Sequence, residues 1–203
     1  PQANLNQISQ INVLKEVELD FFHVAEITNY IISNPITFSS FIVFPFDEPL
    51  RKTYPKINFL NTLDSLEFKH FTVLTFLTSL IAYMFDPYTA LTILESFTVT
   101  SLITITTKFI FGRARPYKEE GAFYFTPFNI SEEYQSFPSG HSALSWSIFT
   151  PLALKYGDFW YLIPTVISAQ RLWSDKHWTS DVLFGAAIGL SIGKYLYETR
   201  EEQ

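Results

Sequence analysis

Between Phe71 and Phe85 the chain reads FTVLTFLTSLIAYMF without a charge, Asp86-Pro87 punctuates it, and a second run from Tyr88 to Phe111 carries only Glu95 and Lys108. Apolar runs of this length must be covered, either by the rest of the chain or by lipid. TVTSLITITT at 98–107 has the β-branched residues of a strand, but the apolar stretch around it is too long for one. The pair therefore predicts two helices joined by a tight turn.

The remaining segments follow the same logic. Val13, Val17, Phe21, Val24 and Ile27 recur at helical spacing within residues 5–34, and a break is expected at Asn34-Pro35. FPFDEPLRKTYPKIN at 44–58 reads as a loop, and the polar, aromatic stretch 116–137 as a long functional loop. Three more apolar stretches, 142–155, 159–170 and 182–197, read as helices. The expected architecture is an all-α helical bundle in one domain, 1–203, with N-terminal helices and a loop over 1–58 and a helical core over 59–197.

Uninterrupted apolar runs of mostly 10 to 17 residues fall short of the ~20 that span a bilayer. This favours a buried core in a soluble or peripheral protein, with a membrane hairpin over 71–111 as the alternative. A formal net charge of -6 provides no basic field for nucleic acid. The absence of cysteine excludes disulfides, thiolate catalysis and thiolate metal sites.

Three short segments concentrate the chemistry. In KFIFGRARPY, Lys108 and Arg115 are seven apart, close to two helical turns, so both cations would project from one side of a helix; an ordinary basic helix end is the plainer reading. In SFPSGHSALSW at 136–146, Ser139 and Gly140 precede a helix and can present a hydroxyl and backbone N–H groups to an anion, with His141 in the first turn. In QRLWSDKHWTSD at 170–181, Asp181 follows His177 by one turn and could accept a hydrogen bond from its ring, with Arg171 nearby. Three cations, an N–H cradle, two histidines and a carboxylate match a tetrahedral oxyanion and the trigonal-bipyramidal state of phosphoryl transfer.

In order and spacing, KFIFGRARP, FPSGH and RLWSDKHWTSD resemble the three signature motifs of the type 2 phosphatidic acid phosphatase superfamily, which also includes bacterial acid phosphatases and vanadium haloperoxidases. The resemblance implies a phosphate pocket at converging helix ends, in which Lys108, Arg115, Arg171, Ser139 and Gly140 bind phosphate. It further implies that His177 attacks to give a phosphohistidine, that His141 protonates the leaving oxygen and that Asp181 supports His177, with no metal or cofactor. One departure is Gln170, where the family usually has serine, which puts the positioning of Arg171 in question.

A phosphate mono- or diphosphate ester, preferably lipid-linked, is the expected substrate, because the chain is 18% aromatic and only 17% charged. A membrane surface is the expected partner and nucleic acid is not; the oligomeric state is left open. The expected location is the bacterial periplasm or a membrane facing it, with an integral membrane protein as the alternative. Two other readings stand beside phosphatase: a vanadate-dependent haloperoxidase using His177 as vanadate ligand, and a non-catalytic phosphate or lipid binder. Gly185, Gly189 and Gly193, every four residues, read as a close helix-packing face. His23 and His70 read as structural or surface residues. The loop aromatics Tyr117, Phe123, Tyr124, Phe125 and Phe128 read equally as a lid over the site or as core cover.

Overall fold

The computed structural model describes residues 24–55 and 65–202. The amphipathic pattern over 5–23, including His23, lies outside the described residues. The helices are α1 (Val24–Ser33), α2 (Pro35–Val43), α3 (Asp47–Arg51), α4 (Phe68–Tyr83), α5 (Pro87–Phe111), α6 (Gly140–Tyr156), α7 (Leu162–Trp173) and α8 (Thr179–Glu201). Among the described residues the one β-type pairing is an isolated bridge between Arg113 and Phe125, so the fold is all-α as expected.

Local chemistry sets the helix boundaries. The break between α1 and α2 falls on Asn34, whose side-chain oxygen accepts from the Ile36 N–H at 2.9 Å while Pro35 opens the next helix. Asp86 does the same for α5, accepting from the Tyr88 and Thr89 N–H groups, and Pro87 occupies the first helical position. At the other end of α5, Gly112 adopts the left-handed conformation (φ 58°), and its N–H bonds the Lys108 carbonyl. A side chain there is doubly excluded, because a Cβ would sit 1.8 Å from the Thr126 carbonyl oxygen.

Within the segment 44–58, of which 56–58 lie outside the described residues, residues 44–51 depart from the loop expected of them. Phe44–Phe46 forms a 3-10 turn and Asp47–Arg51 forms α3, which buries Asp47 completely. Burial of a carboxylate requires partners, and Asp47 finds them in a buried arginine far along the chain.

Helix α8 packs against α6, α5, α2 and α1, while α6 also lies against α5 and α7. One apolar cluster gathers Phe71, Ile93, Phe97, Leu144, Ile148, Phe149, Leu152 and Ile167 from α4 to α7; a second gathers Ile27, Ile31, Ile188, Ile192 and Leu196 from α1 and α8. The glycine face of α8 allows α6 to approach: a Cβ on Gly189 would lie 2.2 Å from the Ala143 carbonyl oxygen.

Many large apolar side chains also stand on the outside. On α4 and in the turn that follows it, Val73, Phe76, Leu77, Leu80, Ile81, Met84 and Phe85 are each 54–72% exposed, and Leu102, Ile105, Phe109, Ile110 and Phe111 on α5 are exposed as well. Large apolar side chains exposed in such numbers on two successive helices are the pattern of a surface covered by lipid or by a partner. By length and composition, Pro87–Phe111 could cross a membrane.

Candidate active site

The sequence expectation put Lys108 and Arg115 on one helical face. Instead α5 stops at Phe111, Gly112 turns the chain, and Arg115 sits in extended backbone (φ -73°, ψ 152°) ahead of Pro116, the conformation that a following proline enforces. The two cations nevertheless reach one cavity. Lys108, Arg115, Gly140, His141 and Arg171 all line a space of about 340 Å³, together with the apolar side chains of Leu66, Phe68, Phe71, Ile105 and Leu144.

Backbone carbonyls aim the cations. The Lys108 ammonium donates to the Gln135 carbonyl, and Arg115 Nε donates to the Glu132 carbonyl at 2.8 Å. Lys108 also lies along Gly140, where a Cβ would stand 3.6 Å from its Cε. Arg171 is buried, and its Nε donates to the Gln170 side-chain oxygen at 2.6 Å, with Nη2 donating to the same atom. Gln170 in place of the usual serine therefore grips Arg171 directly. Arg171 Nη1 lies 3.2 Å from His141 Nε2, and the His141 ring meets the Phe71 ring edge-on at 5.3 Å between centroids.

Ser139 caps α6: its hydroxyl accepts from the Ser142 N–H at 3.5 Å, and its own N–H donates to the Asp181 carbonyl at 2.9 Å. The start of α6 is thereby tied to the start of α8. The tie is tight, since a Cβ on Gly185 would lie 2.5 Å from the Ser139 carbonyl oxygen.

His177, in the turn before α8, is 4% exposed. The expected bond from its ring to Asp181 gives way to a shorter one. Its Nδ1 lies 2.7 Å from the Ser136 carbonyl and 3.8 Å from Asp181 Oδ2. Donation to a carbonyl fixes the proton on Nδ1 and leaves the Nε2 lone pair available. Burial, with the Arg115 and Lys108 charges adding to it, holds the His177 pKa well below its ordinary value, so the ring is neutral.

Asp181 is held by its own set of donors. Its Oδ1 accepts from Arg113 Nη1 at 2.6 Å, and its Oδ2 accepts from the Ser136 hydroxyl at 2.6 Å and the Trp178 N–H at 2.9 Å. Arg113 is fully buried and also donates from Nη2 to Asp47 Oδ2 at 2.8 Å and from Nε to the Ala122 carbonyl at 2.9 Å. Sequence reasoning missed Asp47, Arg113 and Ser136. Arg113 lies two residues before an expected phosphate ligand in GRAR, and nothing in that spacing marks it as the one that turns inward.

Two secondary readings are also resolved. Phe125 and Phe44 lie against the Arg113 guanidinium, 5.7 Å and 4.3 Å from it, and Phe128 packs on Phe109. These loop aromatics cover the buried network and the end of α5; Phe123, Tyr124, Phe125 and Phe128 do not line the cavity. His70 Nδ1 accepts from the Glu67 N–H at 2.8 Å at the start of α4, a structural role. Among the described residues no group of three or more His, Asp or Glu side chains is placed to hold a metal ion.

The profile of the PAP2 superfamily matches residues 89–203, which include all three charged segments. The chain belongs to the PAP2 superfamily. Among curated proteins this PAP2 chain is 38% identical over 97 residues to a lipid A 1-phosphatase of Porphyromonas gingivalis, a match covering 44% of this chain and 19% of that protein. It is 36% identical over 83 residues to a lipid A 1-phosphatase of Rhizobium etli (38% and 36% covered) and 34% identical over 131 residues to a PA-phosphatase related-family protein of Dictyostelium discoideum (54% and 48%). The matches thus span from about a fifth to about half of those relatives' lengths.

Two solved structures share the fold at 20% identity. Aquifex aeolicus LpxE aligns with TM-score 0.55 over 76% of this chain and 93% of its own. A transmembrane PAP2 type phosphatidylglycerolphosphate phosphatase from Bacillus subtilis aligns with TM-score 0.54 over 93% and 96%.

Proposed function

We propose that the chain is a membrane-embedded phosphatase that removes a terminal phosphate from a lipid through a phosphohistidine intermediate. The observation that carries this reading is the cavity itself: Lys108, Arg115, Gly140, His141 and Arg171 line it together with Leu66, Phe68, Phe71, Ile105 and Leu144. A phosphoryl group suits the cations and a hydrocarbon leaving group the apolar side chains. The names of the lipid A 1-phosphatase relatives agree with a lipid phosphate as substrate. The apolar exterior of α4 and α5 suits a body held in lipid, with the cavity at the helix ends where headgroups lie.

In this mechanism Lys108, Arg115 and Arg171 neutralise the phosphoryl oxygens, with the Ser139 hydroxyl and the Gly140 N–H completing the cradle. The Nε2 lone pair of His177 attacks phosphorus, and the P–O bond to the lipid breaks on the opposite side. His177 develops positive charge as it is phosphorylated. The Ser136 carbonyl holding Nδ1–H, and the Asp181 carboxylate behind it, stabilise that charge.

His141 donates the proton to the leaving oxygen. Its Nε2 faces an Arg171 N–H donor, so the ring is neutral in that arrangement. A bound phosphate draws Arg171 onto itself and frees Nε2, and its negative charge favours protonation of the ring. In the second half-reaction water gives a proton to His141 and attacks the phosphohistidine, releasing phosphate and restoring His177.

The test is quenched-flow trapping with a radiolabelled lipid phosphate in detergent micelles. An acid-labile, base-stable phosphorylated protein is expected in the unaltered chain and none in His177→Ala, together with loss of phosphate release. Undiminished turnover in His177→Ala would refute the mechanism.

A further inference from the structure

Lys176 lines the same cavity and stands outside the proposed phosphate cradle. It is half-buried, and its ammonium lies over the Tyr117 ring, 5.1 Å from the centroid. The neighbouring carboxylates are directed elsewhere. Asp175, one residue before it, accepts two hydrogen bonds from Arg51, at 2.7 and 2.6 Å. Glu132 faces Arg115 at 3.5 Å, and Glu67 pairs with Lys69 at 2.9 Å. Lys176 makes no ion pair among the described residues.

The segment that carries this lysine is fixed on both sides. Arg115 Nη1 donates to the Lys176 carbonyl at 3.5 Å, tying it to a cradle cation, while the Lys176 N–H donates to the Arg171 carbonyl at 3.2 Å. The backbone of the lysine is therefore tied to both Arg115 and Arg171. A cation held in a partly dry cavity without a counter-charge is unfavourable unless the ligand supplies one. A lone phosphoryl group already meets Lys108, Arg115 and Arg171, and the shared cavity of about 340 Å³ has room for a second tetrahedral group beside the first.

We propose that Lys176, steadied by Tyr117, is a specificity residue that binds a second phosphate group bonded directly to the one being cleaved, so that this chain prefers lipid diphosphates over the corresponding monophosphates. The proposal rests on the phosphatase reading above and assigns its substrate class. The α-phosphate of the diphosphate is then the leaving group. The bond from its bridging oxygen to the β-phosphorus breaks as His177 attacks that phosphorus, the lipid monophosphate departs with a proton from His141, and Lys176 balances the charge it gains.

The experiment compares kcat/KM for farnesyl diphosphate and farnesyl phosphate, which share one hydrocarbon chain, in the unaltered protein and in Lys176→Met, Lys176→Gln and Lys176→Arg. The expected result is that the diphosphate-to-monophosphate ratio falls about ten-fold in the Met and Gln variants, equivalent to ~1.4 kcal/mol, and is retained in the Arg variant. A ratio that stays constant across all four proteins overturns the proposal, as does an equal fall in Arg and Met. Because the readout is a ratio, a variant that folds in lower yield does not mimic the effect. Failure of the underlying reading is separately visible: the unaltered protein would hydrolyse neither ester.

Discussion

Arg113 offers the sharpest test of how the site is built. Its guanidinium is 0% exposed and joins two carboxylates that are equally buried, Asp47 at 2.8 Å and Asp181 at 2.6 Å. Arg113→Met fills much of the same volume but strands both carboxylates. Removing one partner from a buried pair costs about 3–5 kcal/mol, and Asp47 keeps the Ser180 N–H and hydroxyl while Asp181 keeps the Ser136 hydroxyl and the Trp178 N–H. The retained donors limit the loss, so ~3–5 kcal/mol is expected for the whole triad rather than for each pair.

At roughly 2–4 °C per kcal/mol for a chain of this size, the midpoint of thermal unfolding should fall by about 6–20 °C. Phosphate release per folded molecule should fall as well, because Asp181 loses the donor that orients its Oδ1 and the imidazolium formed at His177 loses support. Unfolding in detergent followed by tryptophan fluorescence, with activity assayed well below the transition, measures both. A midpoint within ~2 °C of the unaltered protein, corresponding to under ~1 kcal/mol, together with full turnover, would refute the claim that the triad holds the site.

Three further outcomes follow from the geometry. Gly185→Ala forces a Cβ to within 2.5 Å of the Ser139 carbonyl oxygen, and overpacking of this kind costs about 1–3 kcal/mol; the shift of the α6 start should lower kcat more than Gly189→Ala does, and steady-state kinetics on the two variants decides it. Gln170→Leu removes the acceptor for two Arg171 N–H groups; one charged hydrogen bond is worth ~1.5–3 kcal/mol, so kcat/KM should drop by roughly ten- to a hundred-fold with Gln170→Ser intermediate, and equal activity in all three would show that Gln170 does not position Arg171. For His177 the folded pKa lies below the unfolded value of about 6.5. Above ~6.5 both states are neutral, whereas below it the unfolded chain gains a proton that the folded chain refuses, so this residue makes stability decline as pH falls. Denaturation midpoints at pH values on either side of 6.5 in the unaltered protein and in His177→Asn, a neutral ring-free replacement, should converge toward acid; a constant gap would contradict the assignment.

Much of the fold and of the site was legible in the sequence, for local reasons. Asp86-Pro87 and Asn34-Pro35 start helices through bonds within three residues, and Gly112 ends one through its own φ. The segments around Lys108, Gly140 and His177 carry residue types that serve an oxyanion wherever the chain runs between them, and five of the eight expected site residues line the cavity: Lys108, Arg115, Gly140, His141 and Arg171. Ser139, His177 and Asp181 stand behind them as cap, buried imidazole and gripped carboxylate. The two-turn relation of Lys108 to Arg115 did not hold, because the glycine between them ends the helix first.

Only the tertiary structure decided which face of each apolar helix is covered. On α4, Phe71 and Ala82 are buried while Phe76 and Leu80 stand outside, and these residues have the same chemical character; a helix apolar on every side contains no signal for its own orientation. It also decided the partners of the buried charges. Asp47 and Asp181 lie 66 and 68 residues from Arg113, and the three meet where separate segments pack together, while Ser136 serves His177 through a backbone carbonyl that any residue type would carry. Residue identity thus determined what chemistry the chain could bring to phosphate. Long-range packing determined which arginines would line the cavity and which would be buried to hold the carboxylate beside His177.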